Sequence, residues 1–308
     1  LPTAQGDSKI VSGYGQFCYN YLQQLARSSG SIYGEKFRQE RRQKRMAQIL
    51  TRPKLFTRQV VTEHVYVQAH GTKLHYQVAG PEDAPPLVLL HGIGGCVNWW
   101  DGVLPALTPY FRTYALDLPG FGRSWRMSGF YSIDHLADYL GQWLKLVGLE
   151  KVTLLGHSLG GQVATRFAAR HPEQIERLIL VAPAGLWPTR QERLQWFVKA
   201  PRVKVPLQQV LTIATGTMRT DALALLLSLN AILQDGKRAT ESLNALTMPT
   251  LVLWGTADSV LPPVLGPRVL SCITNAPARL EYIENGTHDM MFDQAEAFNR
   301  RLLEFLLG

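Results

Sequence analysis

The residue best placed to do chemistry in this chain of 308 residues is Ser158, which stands in Gly156-His157-Ser158-Leu159-Gly160-Gly161. A serine between glycines, where a strand turns sharply into a helix, has the setting of a nucleophile. Such a turn strains the serine backbone, and the glycines let the helix fold back against the strand. The hydroxyl is then left at a helix N-terminus, where backbone N–H groups favour negative charge. A serine hydroxyl becomes reactive only when an imidazole takes its proton and an acid orients that imidazole. Asp258 and His288 are of the types required.

The elements that must position these groups follow from hydrophobic spacing. Lys151-Val152-Thr153-Leu154-Leu155 predicts a short buried strand, and Gln162 to Ala169 has helical spacing that stops at His171-Pro172. Pro249 to Gly255 predicts another buried strand, with Asp258 in the loop just beyond it, before Val260-Leu261-Pro262. Ala278 to Ile283 predicts the last strand, and Glu284-Asn285-Gly286-Thr287-His288 is the loop leaving it. Ser158, Asp258 and His288 are therefore all expected at carboxyl ends of parallel strands, on one edge of a sheet.

Two further motifs complete a pattern. His91-Gly92-Ile93-Gly94-Gly95 follows the strand Pro86 to Leu90, and Asp117-Leu118-Pro119-Gly120-Phe121-Gly122-Arg123-Ser124 follows Thr113 to Leu116. From about Val60 to Gly308 the chain resembles the α/β-hydrolase superfamily, in its capped, serine-nucleophile, esterase- or lipase-like form. The order serine, acid, histidine is that family's. The resemblance implies an α/β fold: a mostly parallel eight-stranded sheet with helices on both faces and a helical cap. It also implies acyl transfer through a covalent intermediate, His288 taking the Ser158 proton and later donating it to the leaving group, with Asp258 holding the useful tautomer. The oxyanion hole carried over by motif position is the backbone N–H of Ile93 and of Leu159.

Neighbouring residues have plainer expectations. His91 and His157 are expected to pack and hydrogen-bond around the oxyanion loops, and Asp117 to brace its turn. Asp289 is expected to point away from His288. Trp99 and Trp100 either line the acyl pocket or pack the helix after Asn98 into the core. His288 and Asp293 form an H-x-x-x-x-D pattern that one acyltransferase-like subgroup of the fold carries; Asp293-Gln294-Ala295-Glu296 also has the spacing of a helix cap, which is the role expected for Asp293.

Val65-Tyr66-Val67 and Leu74 to Val78 flank Gly71 as an opening antiparallel hairpin, and strands and helices alternate from there. The alternation breaks after Leu178 to Val181. Residues 59–185 and 248–308 are expected to form the core and residues 186–247 the cap, with helical segments around Gln191 to Lys199, Leu207 to Ala214 and Asp221 to Leu233. The cap holds Trp187, Trp196, Phe197 and Met218, which with Trp99 are the candidate substrate-pocket residues. Asp221 to Leu229 is apolar on nearly every side, so it must be buried or face something apolar.

The charge is segregated. From Leu1 to Arg58 there are eleven Lys and Arg against three acids, and from Gln59 onward 21 of each, so the whole net charge of +8 lies in residues 1–58. Ile10, Val11, Tyr14, Phe17, Cys18, Tyr21, Leu22 and Leu25 recur at helical spacing, and a basic run from Glu35 to Arg45 follows. An apolar helical face followed by a basic segment suits an anionic membrane surface; packing on the hydrolase core with solvated charges is the competing account. Nucleic acid is disfavoured, because no aromatic-studded basic sheet or reading helix accompanies the charge. No run approaches the roughly 18 to 20 apolar residues of a spanning helix. The chain begins at Leu1 rather than Met, so a native start or targeting segment is open.

Cys18, Cys96 and Cys272 are sparse and odd in number, which points to a reducing compartment and a cytoplasmic location, with peripheral membrane attachment as the variant. No metal-ligand spacing occurs among the eight histidines, and no cofactor is called for. No feature specifies an oligomeric state. The expected function is cofactor-independent hydrolysis of carboxylic esters of an apolar or lipid-like substrate. Thioester, amide and carbon–carbon bond hydrolysis use the same constellation, and a membrane-recruited scaffold with a hydrolase fold is the alternative outside enzymes. Dehalogenase and epoxide hydrolase relatives place an aspartate where Ser158 stands.

Overall fold

Short apolar strands and amphipathic helices alternate along the chain and build one eight-stranded sheet. The computed structural model describes residues 60–189, 191 and 218–308. The expected membrane-seeking extension to Arg58, Trp196, Phe197 and the cap segment Leu207 to Ala214 lie outside the described residues. From Val60 to Phe305 the described residues belong to one compact unit.

The strands are β1 Glu63–Ala69, β2 Thr72–Ala79, β3 Pro86–Leu90, β4 Arg112–Leu116, β5 Val152–His157, β6 Ile175–Val181, β7 Thr250–Gly255 and β8 Ala278–Ile283. β1 and β2 form the expected hairpin, and β2 also pairs antiparallel with β4; every other pairing is parallel. β5 and β7 are buried at every position, as strands must be when a parallel sheet is covered on both faces. β4 lies on one side of β3 and β5 on the other, so the chain reverses its direction of travel across the sheet there. Loops leaving β3 and β5 diverge at that switch point, the place where open α/β sheets bind their ligands.

Among the described residues the helices longer than one turn are α1 Ile133–Val147, α2 Leu159–Arg170, α3 Ala222–Gln234, α4 Gly236–Asn244, α5 Leu265–Cys272 and α6 Ala295–Leu307. α1 starts where Ser132 Oγ accepts the His135 N–H at 3.1 Å and ends at the left-handed Gly148, the expected N-cap and C-cap chemistry. It buries Ile133, Leu136, Ala137, Leu140, Trp143 and Leu144 at steps of three and four. α3 is the apolar cap helix expected from Asp221, which caps it by accepting the Ala224 N–H at 2.9 Å. No described helix is long and apolar enough to cross a membrane.

The cap expected of Asp293 on the last helix is not what forms. Asp293 ends the one-turn helix Met290–Asp293, α6 begins at Ala295, and the Asp293 carboxylate accepts the Thr287 N–H at 2.9 Å. The loop amide ahead of His288 takes the carboxylate before the helix can.

Candidate active site

Ser158 is the turn between β5 and α2. Its φ of 51° and ψ of −115° lie outside the regions a side chain prefers, and three backbone bonds hold it there. Its N–H donates to Val181 O at 2.9 Å, and its carbonyl accepts from Gln162 N at 3.1 Å and Ala184 N at 3.0 Å. Serine at a helix start ordinarily turns its hydroxyl back onto the first amides; here it makes no such bond, so the hydroxyl stays available. The turn closes only with glycines. A Cβ on Gly156 would stand 2.3 Å from Gly160 O, and one on Gly160 would stand 2.5 Å from both His91 O and Leu90 O.

Asp258 and His288 leave the ends of adjacent strands, β7 and β8, and meet: His288 Nδ1–H donates to Asp258 Oδ2 at 2.8 Å. Asp258 is fully buried, and its other oxygen accepts the N–H groups of Val260 at 2.9 Å and Leu261 at 2.8 Å. Those bonds hold the acid on the turn it belongs to and aim it at the imidazole. Burial opposes a charge on His288, but the Asp258 carboxylate, through its charge and its hydrogen bond, outweighs burial, with Asp289 adding to it; the pKa is raised above the ordinary 6.5. With Nδ1 bonded to the acid, Nε2 is the nitrogen left to exchange a proton.

The loop after β3 runs beside the serine: a Cβ on Gly92 would stand 3.1 Å from Ser158 Cβ. Its conformation is set by an unambiguous tautomer. Leu118 N–H donates to His91 Nε2 at 3.0 Å, so Nε2 carries no proton, and His91 Nδ1–H donates to Gly92 O at 2.7 Å. Burial lowers the His91 pKa and keeps the ring neutral. In a trans peptide the C=O and the following N–H point in opposite directions, so fixing Gly92 O fixes the Ile93 N–H. Asp117 anchors the far end of the loop, accepting from Val97 N at 2.7 Å, His75 Nδ1 at 2.6 Å and Arg123 N at 2.9 Å. Leu159 is the first residue of α2, where an amide has no intrahelical acceptor. Among the described residues no acceptor is found for the Leu159 or the Ile93 N–H.

Of the candidate pocket residues, Trp99 is buried with its ring 5.8 Å from those of His157 and Phe292, and Trp100 is wholly in the core. Trp187 is partly exposed where the chain leaves the core, its carbonyl accepting from Arg268 Nη1 at 3.1 Å. Met218 is 85% exposed. Asp289 faces His157, with 3.7 Å from Oδ1 to Nε2. Sequence reasoning missed a cluster at the foot of the cap: Arg166 Nη2 bonds both Asp235 oxygens at 2.9 and 3.0 Å, Arg166 Nε bonds Ser242 Oγ at 2.8 Å, and Gln162 Nε2 bonds Asp235 Oδ2 at 2.8 Å. The available signal was an arginine inside the run Val163 to Ala169 of otherwise apolar or small residues. Among the described residues no group of three or more His, Cys, Asp or Glu could hold a metal ion.

Residues 85–203 match the α/β-hydrolase fold family, and residues 225–295 match the serine aminopeptidase S33 family. Over 255 residues the chain is 31% identical to the dihydrolipoyllysine-residue acetyltransferase component of the acetoin cleaving system of Pseudomonas putida, covering 77% of this chain and 67% of that protein. The chain belongs to the α/β-hydrolase family. It is 26% identical to the carboxylesterase YbfK of Bacillus subtilis, over 81% of this chain and 89% of that enzyme. The crystal structure of a bacterial membrane phospholipase A superimposes with a TM-score of 0.67 at 25% identity, covering 95% of this chain and 98% of that one. The chain spans 34% of the length of three uncharacterized proteins of Mycobacterium bovis and Mycobacterium tuberculosis. This α/β-hydrolase is an enzyme of the hydrolase class.

Proposed function

We propose that this α/β-hydrolase cleaves carboxylic esters through Ser158, His288 and Asp258, forming an acyl-enzyme on Ser158. The observation that carries the reading is the pair His288 Nδ1 to Asp258 Oδ2 at 2.8 Å, at the strand ends that also bear a backbone-strained serine whose hydroxyl is not spent on capping its helix. His288 Nε2 takes the Ser158 proton as Oγ attacks the carbonyl carbon, and the carbonyl oxygen becomes an oxyanion between the Ile93 and Leu159 N–H groups. As the tetrahedral intermediate collapses, His288 returns the proton to the alcohol leaving group, and water repeats the sequence to release the acid. The N-terminus of α2 adds its dipole where the negative charge develops.

An apolar acyl or alcohol group is the preferred substrate, and the cap, residues 186–247, is its receptor. α3 supports this, since it exposes Leu223, Leu226, Leu229 and Leu233, more aliphatic surface than a single helix in water normally retains. The membrane-seeking reading of residues 1–58 rests on their +8 balance. Salt-sensitive binding to anionic vesicles, lost when residues 1–58 are deleted while turnover persists, is the expected result; salt-independent binding or none removes the membrane role.

The decisive experiment is labelling by a fluorescent fluorophosphonate, comparing wild type with Ser158→Ala and His288→Ala, then turnover of p-nitrophenyl esters of increasing chain length. Labelling that needs both residues, with rates rising from acetyl to longer acyl groups, is expected. Folded wild-type protein that does not label would refute the triad, and equal rates for all chain lengths would refute the apolar pocket.

A further inference from the structure

His157 is buried beside the nucleophile, yet no step of the reaction above uses it. Its Nε2 lies 3.0 Å from the main-chain oxygen of His288, 131 residues away. A carbonyl oxygen can only accept, so Nε2 carries the proton and Nδ1 is bare. Among the described residues Nδ1 has no hydrogen-bond partner, and it faces Gly92, where a Cβ would stand only 2.8 Å away. No water or side chain fits between them. The ring is flanked by Trp99 at 5.8 Å and His288 at 4.8 Å, with Asp289 Oδ1 3.7 Å from Nε2.

We infer that His157 is a positioning residue whose Nε2–H, by holding the His288 carbonyl, sets the distance between the base and the nucleophile. The inference rests on the reading of Ser158, Asp258 and His288 as the reacting groups. The bond joins the residue immediately before Ser158 to the backbone of His288, and so links the two loops that must meet. The His288 loop is also tied by Thr287 N–H to the Asp293 carboxylate and by Ala257 N–H to Gly286 O, but neither of those bonds touches His288 itself. The loop leaves the last strand of the sheet through Asn285, whose φ is 56°, and the Asp258 bond holds the imidazole at one atom only, about which the ring can swing. With the carbonyl and Nδ1 both held, His288 is tied once at its backbone and once at its ring. Burial first, and the adjacent His288 second, hold the His157 pKa well below its ordinary 6.5. The ring therefore stays neutral and adds no second positive charge when His288 becomes imidazolium.

The test uses His157→Phe, which keeps a ring but loses the donor, and His157→Gln, whose amide N–H reaches about as far as Nε2. Both are measured for kcat and KM on p-nitrophenyl acetate, for fluorophosphonate labelling rate and for thermal melting. Misplacement of a reacting group by about 1 Å costs roughly 10²-fold, so His157→Phe is expected to lower kcat and the labelling rate by about that factor with KM nearly unchanged, and His157→Gln to recover most of the loss. Should His157→Phe not fold, His157→Asn, whose amide stops short of the carbonyl, takes its place. A folded donor-less variant with wild-type kcat overturns the inference, and so does a folded Gln variant as slow as Phe. If wild type labels in a manner requiring Ser158 and His288 while His157→Phe labels equally fast, only the positioning role falls. If folded wild type does not label at all, the triad falls and this role with it.

Discussion

Gly92→Ala isolates the oxyanion loop from the rest of the site. An added Cβ would stand 2.8 Å from His157 Nδ1 and 3.1 Å from both His157 Cε1 and Ser158 Cβ, whereas ordinary van der Waals contact begins near 3.4 Å. The shortfall is about 0.6 Å against a ring that cannot retreat, because Trp99 backs it and His288 O holds its far nitrogen. The loop must yield instead, carrying the Gly92–Ile93 peptide outward by a comparable fraction of an ångström against the His91 bond to Gly92 O. Oxyanion donors work at 2.7 to 3.1 Å, and losing one costs about 3 kcal/mol, roughly 10² to 10³ in kcat. The overpacking itself costs about 1–3 kcal/mol of stability. Stopped-flow turnover of p-nitrophenyl acetate should show kcat falling by about 10²-fold, with a cooperative melt retained. A folded Gly92→Ala protein with wild-type kcat would refute the placement of the Ile93 N–H in the hole.

Asp258→Asn keeps an oxygen for Val260 N and Leu261 N but turns an amide donor toward His288 Nδ1, forcing the wrong tautomer; kcat should fall by about 10⁴-fold with melting little changed, and a loss under tenfold would argue against Asp258 as the orienting acid. His288 must be neutral to accept a proton, and its pKa is raised, so kcat/KM should fall as pH drops through a midpoint above 6.5; a midpoint at or below 6.5 would contradict the Asp258 pairing. The buried neutral rings act oppositely on stability. His91 and His157 have folded pKa values below 6.5, so the unfolded chain binds protons first as pH falls, and urea unfolding should show stability declining below pH 6.5 in wild type and less steeply in His157→Phe. Arg166→Ala strands the buried Asp235 carboxylate and should cost about 3–5 kcal/mol; Arg166→Met with Asp235→Leu should recover most of it, and a single mutant as stable as wild type would show that the pair carries no weight.

The parts of the site legible in the sequence are those with a local signal. Ser158 lies between glycines after an apolar run, and Asp258 and His288 each stand a few residues past a strand that the spacing marks, so their common edge followed once the sheet was parallel. The limits are equally local. β5 runs two residues beyond the expected strand, to His157, and α2 starts three residues early, at Leu159, because glycines that weaken both propensities are what the tight turn requires. The bond from His157 to His288 spans 131 residues, and that from Arg166 to Asp235 spans 69; neither leaves any spacing to read. Asp293 misled for a physical reason: its capping-box spacing pointed to the last helix, whereas the loop amide of Thr287 took the carboxylate.

The cap is seated on the same elements that hold the reacting groups. α2 begins at the nucleophile and, one and two turns on, offers Gln162 and Arg166 to Asp235, the residue joining α3 to α4. At the other end of α3, Asp221 N–H donates to Gly120 O at 2.9 Å, three residues beyond the Asp117 carboxylate that holds the end of the oxyanion loop. One seat of α3 is therefore referred to Ser158 and the other to the loop that follows β3. Both ends of α3 are held by hydrogen bonds whose geometry tolerates only a few tenths of an ångström. Between the two seats α3 exposes Leu223, Leu226, Leu229 and Leu233, so that stretch can vary without disturbing either set of bonds. A helix fixed at its ends and apolar in its middle can change its exposed face while the elements it is seated on stay in place.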